Sequence, residues 1–122
     1  MSTPPLSQGH IDNRREPRYP VAWPARLDLG GGENIEVKVR DISESGLGLR
    51  CARPLPDKVK MTITVGVPDL VDPTRLKAVP GVVGLVFVVM SGHEWRIGAQ
   101  WIELSDPARQ MFRQWIQKLR FG

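Results

Sequence analysis

The sequence predicts a small six-stranded antiparallel β-barrel with one C-terminal α-helix packed against it. Three observations lead there. Successive segments alternate apolar and polar residues, glycine-rich or polar turns separate them, and the final stretch changes from a period of two to a helical period.

The first strand is "VAWPARLDL", with Val21, Trp23, Ala25, Leu27 and Leu29 on one face. Pro24 falls on the other face, which suits an edge or a bulge because proline gives no ladder N–H. After the turn "GGGE", "NIEVKVRDI" places Ile35, Val37 and Val39 on one face. "GLGLRCA" reads as the third strand, and "KVKMTITVGV" as the fourth, with Val59, Met61, Ile63, Val65 and Val67 in phase. A longer connection with two prolines, "DLVDPTRLKAVPG", with room for the start of the next strand, leads to "VVGLVFVVM" and "EWRIGAQWIEL", joined through "SGH". At the C-terminus, Ser105 or Asp106 can cap a helix with Pro107 in its first turn, where a missing N–H costs nothing. Ala108, Met111, Phe112, Trp115, Ile116 and Leu119 then form one apolar stripe. This helix should cover an open end or seam of the sheet.

A chain of 122 residues, 41% apolar and 25% charged, suits one soluble domain with its own core. Residues 1–13 lack apolar period and read as a flexible tail, leaving 14–122 as the domain. The formal charge of +4 makes an anionic partner reasonable. A single cysteine, Cys51, excludes an internal disulfide and a cysteine-based zinc site, and suits a reducing compartment. The apolar run "GVVGLVFVVM" is about half of the ~20 residues a spanning helix needs, and the first residues do not form a signal peptide. The expected location is the cytoplasm. His10 and His93 have no neighbouring ligands in sequence, no nucleophile–base set assembles, and no metal or enzymatic chemistry is expected. Trp101 and Trp115 fall in phase with the core; Trp95 borders a turn, a position open to solvent exposure.

Two segments carry the functional signal. "NRREPRYP" brings Arg14, Arg15 and Arg18 just ahead of the first strand, and "DISESGLGL" contains Asp41, Ser43 and Gly46. If "GGGE" is the tip of a hairpin, Asp41 falls opposite Ala22, so the end of the second strand returns to where the arginine arm enters. Arginines, a carboxylate, a hydroxyl and turn amides would then meet at one rim. That set is complementary to a guanine nucleotide: arginine reaches guanine O6 and N7 or stacks on the base, a carboxylate accepts from the opposite edge, and arginine with turn donors suits phosphate.

"RREPR" has RxxxR spacing, through Arg14 and Arg18, and "DISESG" has [D/N]xSxxG spacing, through Asp41, Ser43 and Gly46. Together, in this order and with a strand-turn-strand between them, they resemble the PilZ domain family, whose members bind cyclic di-GMP. The similarity extends to "WRIGAQWIEL" and the amphipathic helix. It implies that Arg14 and Arg18 contact phosphate and the guanine Hoogsteen edge, with Arg15 auxiliary. Asp41 would accept from a guanine Watson–Crick edge, Ser43 would contact phosphate, and Gly46 would shape the turn. The implied protein is a cyclic di-GMP receptor acting on a downstream protein effector, its arm ordering over the ligand. The alternatives are a PilZ-fold scaffold that binds no nucleotide and, less favoured, a basic barrel for single-stranded nucleic acid.

Overall fold

The computed structural model describes residues 16–55 and 60–122. Arg14, Arg15, the tail 1–13 and Val59 lie outside the described residues. Six strands form a closed barrel in the order β1-β2-β3-β6-β5-β4, every neighbouring pair antiparallel. They are β1 (Tyr19–Gly30), β2 (Glu33–Ile42), β3 (Gly46–Cys51), β4 (Lys60–Pro68), β5 (Leu76–Ser91) and β6 (Glu94–Glu103), followed by α1 (Asp106–Phe121).

The alternation seen in sequence sorts inside from outside. Leu27, Val39, Ile63, Val65 and Val67 are fully buried, while their sequence neighbours face outward or sit half-buried. Cys51 is a free thiol inside this core. Pro24 is exposed, and the closing ladder between β1 and β4 begins only at Ala25, so the proline occupies a position with one strand neighbour. The β1–β2 hairpin turns on Gly30, Gly31 and Gly32, all at positive φ (92°, 61° and 84°), a region that side chains disfavour.

One expectation shifts. Asp41 lies opposite Pro20 rather than Ala22, because register shifts between Asp28 and Gly30 and between Pro20 and Trp23 each move the pairing by one residue. That brings Asp41 closer along the chain to Arg18. β5 begins at Leu76, inside the connection that the sequence allowed to hold its start, and pairs with β4 from Pro68↔Leu76 to Lys60↔Gly84.

The helix closes one end of the barrel as its stripe predicts. Ser105 caps it, accepting from the Ala108 N–H at 3.2 Å. Phe112 and Trp115 pack against Trp23 with ring centroids 6.2 and 5.4 Å apart, and Phe112 also meets Trp101 at 5.3 Å. The Trp115 Nε1–H donates to the Pro68 carbonyl at 2.7 Å, tying the helix to the end of β4. Trp95 is half-buried against the core, because its register partner Cys51 points inward.

Candidate functional site

The rim where β1 begins and β2 ends holds the described part of the expected site. Arg18 donates from Nη1 to Asp41 Oδ1 at 2.8 Å, an ion pair with side chains 44% and 22% exposed. Asp41 lies directly over Gly48, its register partner on β3; a Cβ there would sit 2.5 Å from Oδ1 and 2.6 Å from Oδ2. The missing side chain at Gly48 is what lets the carboxylate lie down beside Arg18.

The "DISESG" segment makes the turn from β2 to β3. The Ser43 N–H donates to the Gly46 carbonyl at 3.0 Å, and the Ser43 hydroxyl, only 4% exposed, reaches the same oxygen at 3.4 Å. Gly46 serves a close approach and not a positive φ. A Cβ at Gly46 would collide with the Ala99 carbonyl oxygen and stand 3.0 Å from the Gln100 Cα. Ser45 completes the join, its carbonyl accepting from the Trp101 N–H at 2.9 Å.

Glu16, inside the arginine arm, is the contact that the arm's basic composition concealed. Its carboxylate accepts from the Ser45 N–H at 2.8 Å and from the Ser45 hydroxyl at 2.9 Å. Partial burial would raise its pKa, but hydrogen bonds from Ser43 and Ser45, with Arg18 nearby, together hold it below the ordinary 4.5. The arm is therefore pinned to the turn by a carboxylate on the donors of that turn. From Glu16 to Arg18 the backbone is irregular, as Pro17 directs.

A small cavity of about 100 Å³ opens beside the ion pair. Arg18, Arg40, Asp41, Gly48, Phe87 and Arg96 line it, so three arginines and one aspartate share its wall, with Arg18 paired to the carboxylate. Arg40 was missed in sequence because strict alternation sends it to the face opposite Asp41. The bulge between Val39 and Asp41 in the β2–β3 ladder lets both reach one opening. Arg96 and Phe87 come from β6 and β5, more than forty positions away, and no local pattern flags them. The Phe87 ring lies against Gly98, where an added Cβ would overlap it, and stays 46% exposed. Arg14 and Arg15 lie outside the described residues. Arg50 and Arg53 sit apart from this rim, in a half-buried pair with Glu94 and an exposed pair with Glu33.

Among the described residues, no group of histidine, cysteine or carboxylate side chains could hold a metal ion. No helix among them is long and apolar enough to cross a membrane.

The PilZ domain family profile matches residues 12–118. The chain belongs to the PilZ family. No curated protein matches it significantly in sequence. Among solved structures, the Bacillus subtilis inhibitor of motility MotI/DgrA superposes with a TM-score of 0.75 at 12% identity, over 88% of this chain and 51% of that one. The PilZ domain of YcgR from Escherichia coli, solved with c-di-GMP, gives 0.65 at 16% identity, over 88% and 92%. The K. pneumonia MrkH–c-di-GMP complex gives 0.67 at 15%, over 88% and 52%. This PilZ chain thus spans about half the length of MotI and MrkH, and at these identities the likeness is one of fold.

Proposed function

We propose that this chain is a cyclic di-GMP receptor, not an enzyme, and that Arg18 and Asp41 form the centre of its nucleotide site. The observation that carries the reading is the Arg18–Asp41 pair at 2.8 Å, flanked by Arg40 and Arg96 and set beside the Ser43–Gly46 turn in a PilZ-family chain. YcgR and MrkH, which share the fold, were solved with this ligand.

The two members of the pair suit the two edges of guanine. Asp41 accepts from N1–H and N2–H₂ of one base, while Arg18 donates to O6 and N7 or stacks. Ligand entry exchanges their mutual contact for these bonds. A half-exposed ion pair stabilises by about 0–1 kcal/mol, so the exchange costs little. Arg40 and Arg96, with Arg14 and Arg15 of the arm, neutralise phosphate. The half-exposed Phe87 ring offers a base a stacking surface. Ser43 and Gly46 hold the turn beside the phosphates, and Ser43 turns its hydroxyl to them on exchanging its long 3.4 Å bond to the Gly46 carbonyl.

A cavity of about 100 Å³ is far smaller than a dinucleotide pocket, which runs to several hundred. The ligand therefore lies over the rim, and the arm orders across it to complete the site. The changed surface is read by a downstream protein effector, in the cytoplasm where the messenger acts.

Calorimetry with cyclic di-GMP tests the assignment. Truncating one charged contact costs about 1.5–3 kcal/mol, so Arg18→Ala and Asp41→Ala each weaken binding by about ten- to a hundredfold. Undisturbed binding in both variants refutes the site, and no binding by the wild-type protein refutes the function.

A further inference from the structure

Apart from Phe87, the outer half of β5 has no use in the nucleotide reading, yet it is the most exposed apolar segment of the described chain. β4 accompanies β5 only as far as Lys60↔Gly84, whereas β6 continues beside it to Ser91↔Glu94. Among the described residues, Leu85–Ser91 therefore has one strand neighbour. Along it, Val86, Phe87, Val88, Val89 and Met90 are 52%, 46%, 37%, 48% and 62% exposed. Among the described residues nothing protects this edge in the usual ways: "LVFVVM" contains no charge and no proline, and its β-branched and aromatic residues favour pairing.

We propose that this edge is a self-association surface, on which a second copy of the chain adds its own β5 antiparallel to the first. Three features favour a second copy over another occupant. An antiparallel edge is complementary to itself about a two-fold axis, so one segment supplies both sides of the ladder. An axis at Val88 sets Phe87 against Val89 and Val86 against Met90, apolar against apolar, with Leu85 against Ser91 at the ends. The uncharged segment also lets two copies approach without like-charge repulsion, although the chain carries +4 overall.

The seam runs next to the rim, since Phe87 belongs both to the edge and to the cavity beside Arg18 and Asp41. The association itself does not depend on nucleotide. One strand pair covers less than the roughly 1,600 Å² of a standard interface, which places the dissociation constant on the order of tens to hundreds of micromolar.

Sedimentation velocity of the full chain without nucleotide, from about 5 to 500 μM, tests the proposal across that range. The wild type should pass from monomer to dimer. Met90→Lys should weaken the dimer at least about tenfold with an unchanged melting temperature, because Met90 is mostly exposed and a desolvated charge disrupts strand pairing. Val88→Cys should cross-link as a dimer under oxidation, with the buried Cys51 of the wild type giving no such product. A chain that stays monomeric at about 500 μM, or a dimer indifferent to Met90→Lys, overturns it.

Discussion

Two glycines in "GLGL" separate stability from binding. Gly46 packs against backbone: a Cβ there would meet the Ala99 carbonyl oxygen and stand 3.0 Å from both the Ala99 carbonyl carbon and the Gln100 Cα. No side-chain rotation relieves such a contact, so in Gly46→Ala β3 and β6 must part by about 1 Å to restore ordinary separations. The 2.9 Å bond from the Trp101 N–H to the Ser45 carbonyl then stretches beyond hydrogen-bonding range. A disrupted, half-buried bond and a displaced turn cost about 2–4 kcal/mol together. For a domain near this size that lowers the melting temperature by about 10–20 °C. Gly48 meets only a side chain, the Asp41 carboxylate, at 2.5–2.8 Å. In Gly48→Ala that carboxylate swings aside, giving up an ion pair worth at most about 1 kcal/mol. The melting temperature falls by less than about 8 °C. Nucleotide affinity falls by about tenfold or more, because Asp41 is no longer aimed at the rim. Thermal unfolding with calorimetry on both variants separates the two effects. The packing argument fails if Gly46→Ala melts like wild type, or if Gly48→Ala is the more damaging to stability.

Other outcomes follow from single contacts. Because the Glu16 pKa is lowered, its hold on Ser45 contributes above pH 4.5 and is lost as pH falls through the depressed folded value. The Ser45 amide resonance should titrate with a midpoint below 4.5 and stop doing so in Glu16→Gln; a midpoint at or above 4.5 contradicts the contact. Trp115→Phe removes the donor to Pro68 and shrinks a buried ring, and should destabilise by about 1–3 kcal/mol in urea unfolding. Ser105→Ala, losing the cap to Ala108, should cost about 1 kcal/mol by the same measurement.

The barrel and its helix were legible because period and burial coincide along the chain. Leu27, Val39, Ile63 and Val65 face inward where alternation puts them, and Phe112, Trp115 and Ile116 are buried on the predicted stripe. Ser105 and Pro107 marked the start of α1 through local backbone chemistry alone. The meeting of the arginine arm with "DISESG" followed from hairpin geometry, since two strands joined by a tight turn must bring their far ends together.

What only the tertiary structure decided depends on breaks in that regularity and on distant strands. Bulges moved Asp41 from Ala22 to Pro20 and brought Arg40 to the same opening as Asp41. Barrel closure carried Phe87 and Arg96 to the rim, and a repeat of two residues has no term for which strand lies beside which. Glu16 read as one acid among arginines until the fold set its carboxylate on the Ser45 amide. Sequence determined which residues face in and which motif ends must meet. The three-dimensional packing determined which charges share an opening, because that depends on register and closure rather than on local pattern.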